Sequence, residues 1–456
     1  MACMESASAW TTLSQRLQIA IVGAGWAGLA AAITATQNGH QVTLLEASKF
    51  WGGRARSIQP NFADHPPLDN GQHILIGAYQ QTLSLMQTVG INLEKALWRR
   101  PLDLRYVDGS GLSLPNKSFP LNLLQGIAFN PCWSVADKWQ LLKTAWHWQG
   151  MHFECAEDLT VADLCKNMTP TVWQDLMEPL CVSALNTPAH EASGKVFLRI
   201  MKDALFGPAG SSDLLLPRLD LGQLFPNSAI KWLEKNGAAC QSGQRIDSIV
   251  DSGINPSKAP RWQLGENKFD HLVIATPAWD AAHLLEKFNA AWATTAQQLK
   301  HETIATVYVQ GPLNFKLPQP MLALRNTQGS PAQFAFDRGQ IYNEAGTPGL
   351  LAFVVSANKL SKDDVTHQVM GQLSALLIQL GEDALPIEAF KVVQTVVEKR
   401  ATFACTPNLK RPSPKPCHGI TVCGDYVEGP YPATLEGAVI SGIQAVPKSF
   451  FLSANL

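Results

Sequence analysis

Three glycines in the run Gly23-Ala-Gly25-Trp-Ala-Gly28 have the spacing with which a chain cradles a nucleotide pyrophosphate. The first permits a tight turn, the second lets phosphate approach the main chain, and the third lets a helix pack closely on a strand. Trp26 and Ala27 stand at the head of that helix, where unpaired amides and the positive end of the helix dipole favour an anion. Glu46, with Ala47 beside it, follows Gly28 by 18 residues, about where an acid accepts hydrogen bonds from a pair of ribose hydroxyls. Its charge repels a 2′-phosphate, which disfavours NADP. Six residues further on come Gly52-Gly53-Arg54. Two glycines that fold over a diphosphate and a guanidinium that can pair with it fit a dinucleotide larger than NAD.

The elements around these residues are the ones such chemistry needs. A strand at 18–22, the glycine turn, an Ala-rich helix stopped by Gly39 and a second strand at 42–45 form a Rossmann-type strand-helix-strand unit. Pro-bearing strand-like pieces at 101–115 give way to a largely helical stretch at 134–205, rich in Trp and Met. Strand signals return at 245–250 and at 271–275, the latter a continuous apolar run of the kind buried in parallel sheets. Residues 303–309 and 350–355 suggest a second sheet, followed by a helix over 363–380. A proline-rich linker leads to a short strand at 420–423 and a helix from Thr434. The fold class is therefore α/β, a Rossmann-type lobe with an inserted α+β, largely helical lobe. The nucleotide lobe is expected from 15–90, 225–282 and 408–456, the substrate lobe from 91–224 and 283–407, and 1–14 form a disordered tail.

Composition narrows the partners. Of 456 residues, 46% are apolar and only 16% charged, against roughly 25% charged in ordinary soluble proteins, which implies extensive burial or a greasy surface. A net charge of -1 leaves no global field for a polyanion, arguing against nucleic acid. The nine cysteines are scattered, with no C-x-x-C pair and no Cys/His cluster at zinc spacing, so no metal site is expected and a cytoplasmic location is. The apolar window 19–35 contains three glycines and is explained by the nucleotide unit, not by a membrane span.

Glu46, Gly53 and Arg54 resemble the opening of the flavoprotein superfamily that includes amine oxidases and carotenoid desaturases, which implies extended FAD. Gly424-Asp425 and the run Thr434-Leu-Glu-Gly-Ala-Val-Ile-Ser-Gly442 resemble its closing signature. The resemblance places Asp425 at the ribityl or pyrophosphate region, the backbone near Leu435 at the flavin ring and the backbone of Ile246 on the adenine side. It also carries Asp69-Asn70-Gly71-Gln72-His73 past the reactive face, where the glycine allows close approach and Gln72 and His73 can hydrogen-bond. Interior motifs narrow it further: Asp203-Ala-Leu-Phe-Gly207, Ser212-Asp-Leu-Leu-Leu-Pro-Arg218 and Leu224-Phe-Pro226 resemble the hydroxysqualene dehydroxylase family.

That resemblance implies loss of an allylic hydroxyl from a C30 isoprenoid, a step toward squalene and hopanoids, with hydride delivered from N5 of reduced flavin as water leaves. Hydroxide leaves poorly, so a proton donor and a dry pocket are needed. His73, Tyr431 and Glu436 are the candidate donors, His73 first. Plain structural roles stand beside these: orienting Gln72 for His73, loop packing for Tyr431, a first-turn carboxylate on the helix dipole for Glu436. With a single dinucleotide fingerprint, the electron donor stays unidentified. Rival readings are an isoprenoid desaturase running hydride the other way and an amine oxidase. The latter is disfavoured because the strand expected to carry a lysine near the flavin has none over 302–310. A third rival is a non-catalytic isoprenoid carrier that contacts a membrane transiently, as a peripheral protein on its inner face. Trp133, Trp139, Trp146 and Trp148, with Lys138 and Lys143, suit such an interfacial helix, although tryptophans at this density also suit a core.

Overall fold

Two sheets face each other across a cavity. The computed structural model describes residues 16–60, 67–117, 119–253, 261–342 and 348–447; the tail expected at 1–14 and the last nine residues of the segment 408–456 expected in the nucleotide lobe lie outside them. The first sheet is parallel, in the order Ala239–Ser242, Gln41–Glu46, Gln18–Val22, His271–Ile274, Ile420–Val422. Its central strands are buried on both faces, which is why 271–275 reads as an unbroken apolar run rather than an alternating one. The crossover from the first strand to the second is the helix Trp26–Gln37, against which the C-terminal helix Leu435–Ala445 packs. Chain segments some 400 residues apart thus share one layer.

The expected strand at 245–250 is displaced. Pairing ends at Ser242, opposite Glu46, and Gly243, at a φ of +71°, turns the chain off the sheet edge. Residues 243–249 run on without strand pairing, and only Val250–Asp251 rejoins a small antiparallel sheet.

The second sheet is antiparallel: Met321–Ala323, Phe334–Asp337, Leu350–Val355, His301–Gln310, Lys391–Phe403. Alternation along His301–Gln310 divides its side chains between two environments. Ala305, Val307 and Val309 pack against Val365, Val369 and Leu373 of the helix Lys362–Gln379. Ile304, Thr306 and Tyr308 point the other way, toward the nucleotide lobe. Helices between Val135 and Leu205 close one end of the cavity. The four tryptophans in and just before the helix Val135–Gly150 split between the two environments considered for them. Trp133 and Trp148 are buried, whereas Trp139 and Trp146 stand out from the surface. No helix among the described residues is long and apolar enough to cross a membrane.

Candidate active site

The carboxyl ends of four parallel strands open on one cavity of about 770 Å³. At its polar end the glycine loop does what its spacing requires. Gly23 has a φ of +107°, and a Cβ on Gly28 would lie 1.9 Å from the Gly23 carbonyl oxygen, so neither position accepts a side chain. Gly25 differs: the nearest atom to a Cβ there is Gly53 Cα at 3.9 Å, and the space beyond it is open. No side chain caps the helix that Gly25 begins, so the amides of Trp26 and Ala27, both on the cavity wall, lack partners within the helix. An open glycine before uncapped amides fits a pyrophosphate.

Glu46 holds this loop in shape. One carboxylate oxygen accepts from Ala24 N at 2.7 Å and the other from Ser48 N at 2.8 Å, which leaves lone pairs on both for a ribose. Glu46, Ala47, Gly53, Asn70, Ile246, Gly424 and Leu435 all line the cavity. Arg54 lines it too, but in this structure its guanidinium is engaged with protein. It donates to Asp425 Oδ1 at 2.5 Å and to the Ala401 carbonyl at 2.6 Å, tying the opening signature directly to the closing one. Asn70 donates to the Arg54 carbonyl and to Glu398, both at 3.1 Å.

Behind the segment Asp69–His73 lies a buried cluster that sequence reasoning missed. Arg338 and Asp69, 2% and 1% exposed, pair at 2.8 Å, and the same nitrogen of Arg338 donates to Gln72 Oε1 at 2.7 Å. Tyr308 donates to the Asp69 carbonyl at 2.9 Å, and Leu221 N to Asp69 Oδ1 at 2.8 Å. Arg338, not His73, therefore orients Gln72. Nothing local to Arg338 signals this, because its partner is 269 positions away.

The three candidate proton donors separate clearly. His73 Nδ1 lies 2.9 Å from the Gly71 carbonyl, which can only accept, so Nδ1 carries a hydrogen and Nε2 is the ring nitrogen left for chemistry. Burial lowers its pKa below the usual histidine value. Tyr431 donates its hydroxyl proton to Asp203 at 2.9 Å, and burial raises its pKa. Glu436 is 3% exposed and accepts from Gln81 N, Thr82 N and Thr82 Oγ1 at 2.9, 2.9 and 2.6 Å. It caps the helix Gln80–Thr88, and both of its oxygens are engaged there as acceptors, turned to that helix and not to a substrate. The dipole role weighed for it from the sequence is real, but it serves the neighbouring helix.

Away from the nucleotide loops the cavity turns apolar. Ile74, Ile76, Leu102, Leu104, Leu180 and Leu205 line one side; Phe334, Phe336, Val354 and Val396 of the antiparallel sheet line the other.

A Rossmann-type lobe whose glycine loops open onto a second, antiparallel lobe defines a flavoprotein oxidoreductase. The pattern of the flavin containing amine oxidoreductase family matches residues 26–447, and the chain belongs to that family, whose cofactor here is FAD. It is 25% identical over 444 residues to the hydroxysqualene dehydroxylase of Zymomonas mobilis, covering 92% of this chain and 96% of that one. The hydroxysqualene dehydroxylase of Rhodopseudomonas palustris is likewise 25% identical, over 93% of this chain and 96% of its own. Cyclohexylamine oxidase from Brevibacterium oxydans shares the fold, with a TM-score of 0.64 at 16% identity over 94% and 98% of the two chains.

Proposed function

We propose that this FAD-dependent oxidoreductase removes the allylic hydroxyl of hydroxysqualene reductively, giving squalene and water. The observation that carries the reading is the single cavity that runs from amide-lined nucleotide loops into a hydrocarbon-lined chamber. The names of the full-length relatives support the choice of substrate. The absence of lysine from His301–Gln310 supports it against an amine oxidase.

Bound FAD, once reduced, supplies the hydride. The residues of the chain do the rest. The open face of Gly25, the Trp26 and Ala27 amides and Glu46 hold the nucleotide, while Arg54 and Asp425 lock the two signatures together. Leu102, Leu104, Leu205 and Phe336 keep water from the developing cation, so that hydride and not hydroxide meets it. His73 Nε2, protonated, hands a proton to the departing oxygen. Tyr431 and Glu436 are committed to Asp203 and to the Gln80–Thr88 helix, which leaves His73 the donor.

The test is anaerobic. Protein carrying chemically reduced FAD is mixed with hydroxysqualene, and flavin reoxidation and squalene are followed together. The expected result is one squalene per flavin reoxidised. No reoxidation with hydroxysqualene, together with flavin reduction when oxidised protein meets a saturated-bond isoprenoid, would reassign the protein as a desaturase.

A further inference from the structure

Two hydroxyls on the cavity wall, those of Thr276 and Thr306, are buried with no hydrogen-bond partner, and Thr306 is the one on the antiparallel sheet that faces Gly71 and His73. Thr306 is 1% exposed, and its Oγ1 is buried without a hydrogen-bond partner. Burying a hydroxyl without a partner is costly, so it persists where something else meets it. Its surroundings say what that is. Thr306 stands directly opposite Val354 on one neighbouring strand and Val396 on the other, with Ile304 preceding it on the same face. All four line the cavity. The next residue on that face, Tyr308, is satisfied by the Asp69 carbonyl. Thr306 is therefore a polar point set directly among Ile304, Val354 and Val396, with the next polar groups on the flanking faces, Ser356 and Glu398, one strand repeat further along. It also lies beside the reacting region: a point one Cβ bond out from Gly71 is 3.6 Å from His73 Cε1 and 3.9 Å from Thr306 Oγ1.

An unpartnered hydroxyl set among Ile304, Val354 and Val396 and next to a histidine is complementary to a hydroxyl carried on a hydrocarbon chain. Resting on the reading above, we propose that Thr306 is the residue that recognises the substrate alcohol, its Oγ hydrogen-bonding the substrate oxygen and holding it beside His73. Thr306 then sets specificity: it favours the alcohol over the hydrocarbon product, which offers it nothing and leaves it unmet again. Release of product is helped by the same asymmetry.

The experiment measures binding, not turnover. Oxidised holoenzyme, which has no hydride to give, is titrated with hydroxysqualene and with squalene, read by perturbation of the flavin absorption bands and by tryptophan fluorescence. Wild type should prefer the alcohol by about tenfold or more. Thr306→Val, of equal shape, should bind both equally with an unchanged flavin spectrum, and Thr306→Ser should keep the preference. Thr306→Ala repeats the test should the valine variant fail to fold. A preference that survives in the valine and alanine variants overturns the inference while leaving the dehydroxylase reading intact. So does a shifted flavin spectrum with preference unchanged, since the hydroxyl would then serve the cofactor. Wild type that binds neither compound overturns both.

Discussion

The two walls of the cavity solve their problems with different parts of the polypeptide. The nucleotide wall uses main chain: a positive-φ glycine, a glycine bordering open space, and uncapped amides of a helix whose register the parallel sheet fixes. The opposite wall uses side chains, alternately inward and outward, and draws its surface from five strands between 301 and 403. A backbone site tolerates almost any neighbour but no intrusion. A side-chain site can be retuned one residue at a time without disturbing the cofactor. The difference accounts for a fold that keeps one cofactor and varies what it acts on.

The strut between the walls should show the largest effect. Arg338 opens the short helix Arg338–Ile341 that follows the strand Phe334–Asp337 of the antiparallel sheet, Asp69 comes from the nucleotide lobe, and both are almost wholly buried. Arg338→Met leaves the Asp69 carboxylate without its cation, and breaking such a pair costs about 3–5 kcal/mol. Urea unfolding should register that loss, and pairing it with Asp69→Asn should recover part of it. A loss under about 1 kcal/mol for Arg338→Met alone would mean that the two walls are held together elsewhere.

The second test sets wall against wall. Gly25 is at an extended φ of -71° with free space beyond its Cα, so Gly25→Leu should fold with a near-native melting temperature yet purify without flavin, affinity falling on the order of 100-fold. Phe336→Leu, on the other wall, should purify with full flavin and change only the affinity for isoprenoid. Flavin-to-protein absorbance ratios decide it. If Phe336→Leu also lost flavin, the division of labour would be wrong.

The same division explains what could be read in advance. Gly23, Gly25, Gly28 and Glu46 act through local backbone geometry, so their spacing alone exposes them. Arg54 was legible as a cation near a diphosphate, but its partner Asp425, 371 positions on, was not legible as such. Thr306 and Arg338 escaped because their roles come from strand register and from burial against distant segments, which no short window encodes. The strand expected at 245–250 failed for a smaller reason: Gly243 turns the chain off the sheet edge directly after Ser242, before those residues can pair. Glu436 was a candidate because the closing motif places it near the flavin; only the position of the Gln80–Thr88 helix reveals the cap.

The mildest effect is expected from pH, and it bears on the candidate proton donor between the walls. His73 contributes a backbone-anchored Nδ1 and a free Nε2, and burial holds its pKa below 6.5. As proton donor it must be charged, so kcat/KM for hydroxysqualene should be level at acid pH. It should then fall about tenfold per unit once pH rises through that lowered value. His73→Asn keeps a donor for the Gly71 carbonyl but no titrating acid. Its profile should be flat, with the deficit largest at low pH and only about tenfold at neutral pH, where little of the wild-type imidazole is charged. Stability runs the opposite way. Below 6.5 the unfolded chain takes up a proton that the folded one resists, so His73 costs the fold stability as pH falls, and His73→Asn should be the more acid-resistant protein. Opposite trends in rate and melting temperature would mark His73 as a group kept neutral by burial and charged only to act. A wild-type rate that ignores pH between 5 and 8 would remove it from the chemistry and leave the proton to solvent.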